Sequence, residues 1–197
     1  MSPIFLSKAT IKFLNFTRKK DEVIPLQYNP ESLTRTLSLP SQGEGSPLPQ
    51  NAPPKESYKM KAILDATDLL EKGDTNTLNH GIQPMLTALE LLVHASSRQL
   101  TNSNNLAKKG VLEITPPEAP LVLFSWNKDR TVPIRITQLS ITEEAFDPQL
   151  NPIRASIDLG FDVLTTSDLG YAHKGGQQYM TYLQRKEALS RKFFDKK

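Results

Sequence analysis

"LSITEEAFDPQLNPIRASIDLGFDV", residues 139–163, is the stretch that decides how this chain is read. Its second half is a clean two-residue alternation: Ile153, Ala155, Ile157, Leu159, Phe161 and Val163 point one way. Arg154, Ser156, Asp158, Gly160 and Asp162 point the other, which is the period of a strand with one buried face. Its first residues, ending at Ile141, are also strand-like, yet two Xaa-Pro steps, Asp147-Pro148 and Asn151-Pro152, lie between. Hairpin strands are commonly joined by about two to five residues. Here eleven, Thr142 to Pro152, separate Ile141 from Ile153, so the sequence predicts a long, proline-stiffened arm between two strands.

Working outward, more strands appear. Residues 130–141 place Val132, Ile134 and Ile136 on one parity and Leu139 and Ile141 on the other, a phase slip that predicts a β-bulge near Gln138. A turn at Asn127 to Arg130 joins this run to "PLVLFSW" (120–126). "ESYKMKAIL" (56–64) puts Tyr58, Met60, Ala62 and Leu64 on one face and Lys59 and Lys61 on the other. "KATIKFLNF" (8–16) alternates Ala9, Ile11 and Phe13 against Lys8, Thr10 and Lys12. "VIPLQYNPESLTRTLSL" is extended, broken by a turn at Asn29-Pro30. Residues 40–55 carry five prolines and two glycines and read as a long surface loop. "GIQPMLTALELLVHASS" predicts the one helix of the body, with Pro84 in its first turn and Met85, Leu89, Leu92 and Val93 along one face. "SSRQLTNSNNLAKKG" is polar, nearly without apolar anchors, and reads as mobile. From Gln177 the spacing predicts a second helix with Tyr179, Tyr182, Leu183, Leu189 and Phe193 on one side. These elements describe a mainly β domain with some helix, an α+β chain, over residues 1–169, and a helical extension over 170–197.

The bulk numbers limit the functional classes. Hydrophobic content of 38 % and charged content of 23 % are those of an ordinary globular protein. No apolar run nears the ~20 residues that cross a bilayer, and the first residues lack the order of a signal peptide. The chain has no cysteine, so disulfides and thiolate metal sites are out and cytoplasmic assembly is expected. A net charge of +3 is too small to imply nucleic acid, and it comes from the tail: Lys174, Arg185, Lys186, Arg191, Lys192, Lys196 and Lys197 face only Glu187 and Asp195.

A search for chemistry finds none. His80, His94 and His173 form no ligand pair at zinc spacing. Glu90 and His94 stand one helical turn apart, a common pairing on a solvated face. Gly43 and Gly45 do not sit between a strand and a helix, so no phosphate loop exists. Asp65 and Asp68 fall where a strand should be capped and end; Glu143 and Glu144 are adjacent and point apart if extended. Lys59, Lys61 and the tail cations read as solvated faces, without the aromatic platform used on single strands. The sequence calls for no catalytic residue, no cofactor and no metal.

Three blocks nevertheless stand in a familiar order: "LQYNPESLTRT", "ILDATD" and "PLVLFSWNKDRTVPIRITQLSITEEAFDPQLNPIRASIDLGFDVLTTSDL". Together they span most of residues 7–169 and resemble the tube-fold proteins of contractile injection systems, the phage-tail-like particles. The combination Phe-Asp-Pro…Asn-Pro-Ile-Arg-Ala is the most specific part. The family's Trp-Gly is Trp126-Asn127 here, and Asn tolerates the left-handed backbone that glycine would supply. The resemblance implies an antiparallel β-sandwich or barrel of the tail-tube type, with one packed helix. It also implies a hexameric ring in the baseplate, where the spike meets the inner tube. Longer relatives continue into a LysM module; here one helix is expected instead, with any peptidoglycan binding left to another chain.

On that reading the expected partners are five more copies of this chain, the spike protein, inner-tube proteins and other baseplate subunits, with no nucleic acid and no membrane insertion. Subunit contacts fall to Asn29, Pro30, Phe146, Asp147, Pro148, Asn151 and Pro152, and in the tail to Tyr179, Tyr182, Leu183, Leu189 and Phe193. Arg154, Ser156, Asp158 and Asp162 are expected to face a wet lumen. Two dispositions of the tail helix stay open: folded back over its own domain, or projecting into a groove on another chain. An alternative from another class is a soluble binding module that recruits cargo or nucleic acid through the basic tail; a hydrolase requires a site assembled from residues distant in sequence.

Overall fold

Strands form where the sequence alternates. The computed structural model describes residues 9–14, 22–25, 30–39, 53–109, 121–127 and 129–195. Seven strands, β1 (Thr10–Leu14), β2 (Glu22–Pro25), β3 (Leu33–Ser38), β4 (Lys55–Asp65), β5 (Leu121–Asn127), β6 (Arg130–Phe146) and β7 (Pro152–Val163), make one antiparallel sheet ordered β2-β1-β5-β6-β7-β4-β3. Helices α1 (Thr67–Glu71), α2 (Thr75–His80), α3 (Gln83–Glu90) and α4 (Ser97–Lys108) lie between β4 and β5; α5 (Thr166–Leu169) and α6 (Lys174–Phe194) follow β7. The chain is α+β. Among the described residues the sheet is open, with β2 and β3 each paired on one side only.

The register explains the core. Tyr58, Met60, Ala62 and Leu64 of β4 stand opposite Phe161, Leu159, Ile157 and Ala155 of β7, and all eight are buried. The intervening positions pair Lys59 with Gly160, Lys61 with Asp158 and Asp65 with Arg154, so one face is apolar and the other charged. Tyr58 stacks on Phe161 at 5.3 Å between ring centroids, and Phe124 of β5 approaches Phe161 at 4.7 Å. Ile82, Leu86 and Leu89, from α3 and the residue before it, complete this cluster. Tyr179 and Tyr182 of α6 belong to it as well.

The bulge expected near Gln138 is present: the β6–β7 register shifts between Ile136 and Gln138, and the apolar parity changes there. The expected arm is not. β6 continues to Phe146 and β7 starts at Pro152, so the connection is the five residues 147–151, and Thr142 to Phe146 are strand. Alternation fails as a guide here because two further register shifts, around Ala145, break its phase. Pro152 is compatible with the ladder as the first residue of its strand. Asp147 ties the turn. Its carboxylate accepts the backbone N–H groups of Gln149 and Asn151, each at 2.8 Å, and the Asn151 amide at 2.8 Å. Leu150 takes φ 67, the left-handed conformation in this turn.

Other expectations also need correction. The polar stretch read as mobile is α4, started by a capping box in which Ser96 and Gln99 satisfy each other's backbone N–H. The body has five helices among the described residues rather than one. Asp65 does end β4, accepting the N–H of Thr67 at 2.8 Å, whereas Asp68 lies inside α1. In α3 the buried residues are Leu86 and Leu89, and Val93 lies beyond the helix, half exposed. Asn127 shapes its turn through its side chain, which accepts from the N–H groups of Asp129 and Arg130, and not through left-handed backbone. The proline-rich segment falls mostly on residues 40–52, outside the described residues.

The helical segment after β4 is bolted to the start of β7. Ala66 N–H donates to the Ile153 carbonyl and Ile82 N–H to the Pro152 carbonyl, both at 2.8 Å. Between them Gly81 has φ 57, and a Cβ there would lie 2.1 Å from the Pro152 oxygen. Gly81→Ala is therefore expected to cost about 2–4 kcal/mol, from the disfavoured backbone and the displaced carbonyl together. A drop in the urea midpoint with unchanged slope checks it.

Candidate functional site

The tail helix is held by a buried carboxylate. Glu56 occupies the core-facing parity of β4 and is 5 % exposed. Its Oε1 accepts from the Tyr58 hydroxyl at 2.7 Å and the Tyr182 hydroxyl at 2.8 Å; its Oε2 accepts from Lys186 Nζ at 2.9 Å. Arg35 of β3 stands 3.9 Å away, and Lys186 lies 4.6 Å from the centre of the Tyr182 ring. Burial pushes the Glu56 carboxyl up, but hydrogen bonds from Lys186, Tyr58 and Tyr182 outweigh it and hold the group below its ordinary value. Burial first, then its bonds to Tyr182 and Glu56, drives the Tyr58 hydroxyl well up, so it remains a donor. One residue of β4 thus gathers β3, β4 and α6.

These contacts set the path of α6 across the core face. His173 accepts the Gly175 N–H at 3.1 Å at the helix start, and a Cβ on Gly175 would sit 3.0 Å from Leu121 Cδ1 at the start of β5. Gln178 donates to the Thr131 carbonyl of β6 at 3.2 Å. Tyr182 and Lys186 then reach Glu56 on β4. The helix therefore runs across the strands, from β5 toward the β3 edge. Of the two open dispositions of the tail, the first half of the helix takes the folded-back one. Tyr179 and Tyr182 are buried in the protein's own core, Leu183 is half-buried, and Leu189 and Phe193 are 48 % and 76 % exposed. Phe194 beside them is 67 % exposed.

The opposite face of the sheet is polar. Arg154, Ser156, Asp158 and Asp162 all lie on it, with Lys59, Lys61 and Arg135 nearby in the register. Lys55 pairs with Asp162 at 2.9 Å, and Arg154 with Glu144 at 3.2 Å. Ser156 is buried between its cross-strand neighbours Ile63 and Thr142. Around Gly160 a shallow depression of about 300 Å³ is lined by Thr34, Lys59, Gln138 and Asp158. At the hairpin tip Phe146 and Pro148 are exposed, Asp147 and Asn151 are half-buried, and Pro152 is buried. Pro30 is half-buried just ahead of β3; Asn29 lies outside the described residues.

No metal-sized grouping of three His or acidic side chains occurs among the described residues, and no helix there is long and apolar enough to cross a membrane. His94 stands beyond the end of α3, so the one-turn spacing to Glu90 does not hold. Sequence reading missed Glu56, Arg35 and the role of Lys186. The available signal was a charged residue in phase with four apolar ones on β4. No known family's sequence profile matches this chain, and no curated protein matches it. The fold itself defines its class: an α+β protein on a seven-stranded antiparallel sheet, with one charged face and one face crossed by a helix.

Glu56→Gln keeps an acceptor for the tyrosines but loses the charge facing Lys186 and Arg35. The expected loss is about 2–4 kcal/mol, with reduced amide protection in α6 by hydrogen exchange. Because the folded carboxyl titrates below its ordinary 4.5, its contribution is complete above that value and fades as pH falls through the lowered one. Acid unfolding of the Gln variant should lack this component.

Proposed function

We propose that this chain is a ring-forming structural adaptor in a phage-tail-like contractile injection particle, joining the central spike to the inner tube at the baseplate. The observation that carries the reading is the two-faced sheet whose end strands, β2 and β3, are each paired on one side only among the described residues. An open antiparallel sheet with an exposed strand at each end is a hazard to a lone protomer and a joint for a ring. Closing six copies edge to edge pairs such an edge with the next copy, turns the face of Arg154, Ser156, Asp158 and Asp162 to a water-filled lumen, and keeps the helices outside. The resemblance of "LQYNPESLTRT" and of the Phe-Asp-Pro…Asn-Pro-Ile-Arg-Ala block supports the same assignment.

In this role the protein needs no catalysis and no cofactor; its partners are its own copies, the spike, the inner tube and neighbouring baseplate subunits, assembled in the cytoplasm. The basic tail is a poorer phosphate surface than its composition suggests, because Lys186 is committed to Glu56. Purified particles from cells that produce the chain provide the test. Cryo-electron microscopy should place six copies around the central axis between spike and tube. Three copies, a position at the outer rim, or absence from any tail-like particle would refute the assignment.

A further inference from the structure

Among the described residues the sheet has a third open edge, inside β6. The β5 ladder on β6 stops where Val122 meets Ile134, yet β6 runs on to Phe146. Beyond Ile134 the described residues pair with β6 on the β7 side alone. This change falls beside the register shift between Ile136 and Gln138, where a bulge bends the strand. The sequence just ahead of β5 is a poor continuation of its ladder, because Pro116, Pro117 and Pro120 have no N–H to donate. The distal half of β6, with β7, β4 and β3, is therefore a four-stranded sheet with β3 at its other margin.

Four strands join their own copy better than seven. Every neighbouring pair is antiparallel, so the seven leave β2 and β3 running in the same direction, and a rotational ring would join them in parallel, the slightly weaker ladder. The four leave β6 and β3 opposed, and the same ring joins them antiparallel. Leu33, Met60, Leu159 and Leu139 stand in one row across the four. The sense of hydrogen bonding alternates from strand to strand along a row, so both margins turn their outward N–H and C=O groups at the same parity. Odd positions of β3 can thus lie opposite odd positions of β6, which keeps core-side residues together.

One register matches the side chains in kind. With Arg35 opposite Glu143, Leu37 meets Ile141 and Leu39 meets Leu139 on the core side; Thr36 meets Thr142 and Ser38 meets Ser140 on the polar side. Leu37 and Leu39 are 47 % and 81 % exposed in the lone protomer, and Glu143 is exposed. A shift of two residues either way would set Arg35 against Ile141 or Ala145.

Resting on the ring reading, we infer that the seam of the ring is an antiparallel ladder between β3 of one copy and residues 139–143 of β6 in the next, with an Arg35–Glu143 pair across it. The occupant of each of these two edges is a second copy of this chain. The polar face of the four strands then runs unbroken around the lumen, and β2 takes no part in the seam.

The chain has no cysteine, so an introduced pair reads the seam directly. In particles carrying L37C/I141C, mild oxidation should give covalent multimers up to the hexamer on a non-reducing gel. Within one copy the two positions lie three strand spacings apart, about 14 Å or more, too far for a disulfide. The pair L37C/V23C, which reads a seam between β3 and β2, should stay monomeric. Multimers from L37C/V23C instead, or none from L37C/I141C while electron microscopy still shows six copies in the ring, would overturn the seam and leave the ring reading standing. Absence of any ring would overturn both. As an independent measure, Glu143→Lys should keep the protomer's melting temperature and lower ring yield about tenfold or more, since every seam of the ring repeats the pair. Unchanged yield in the folded variant counts against this register.

Discussion

Everything in this protein depends on β7 being paired along both sides while holding strict alternation. Its left and right neighbours, β6 and β4, are its antiparallel partners, and its apolar parity meets theirs throughout most of its length. A slip of one residue would exchange the faces wholesale, putting Phe161 among lysines and Asp158 in the core. The aromatic contacts of Phe161 with Tyr58 and Phe124 fix that register at one end. The backbone bonds to the Pro152 and Ile153 carbonyls fix it at the other. The sheet's two characters, oily and charged, are thus consequences of a single strand's phase.

The strands with uninterrupted alternation were legible from residues alone: β4, β7 and the start of β6 have the faces that their periodicity implies. So was the bulge at Gln138, because a bulge is a change of parity that the sequence itself displays. What misled the reading was local composition. Thr142 to Phe146 look like a loop because the run opens on Thr142, Glu143 and Glu144 and leads into a proline, but a strand beyond the core has no apolar partner to reveal it. The helix at 97–108 was hidden for a related reason. Its order comes from a capping box and not from an apolar stripe, and Ser96 and Gln99 look unremarkable in a polar run.

The site was less legible than the fold. The tyrosines of the tail helix were seen as an apolar face, but their hydroxyls are the reason they are there. Tyr182 needs a buried acceptor, and Glu56 needs buried donors; each looks out of place until the two are brought together over more than a hundred residues of sequence. Long-range pairs of this kind have no signature in local pattern. Leu189 and Phe193, by contrast, were recognised as surface in search of cover, and they remain so in the protomer.

The bonds from Ala66 and Ile82 to β7 have a further consequence. β4 ends at Asp65, opposite Arg154, so the first two residues of β7 extend past it. Left bare, their carbonyls would form a notch in the middle of the sheet, open to any passing extended peptide. Two N–H groups, each from the residue just ahead of a helix, plug that notch. A nascent chain is thereby denied one wrong handshake in the middle of its own sheet.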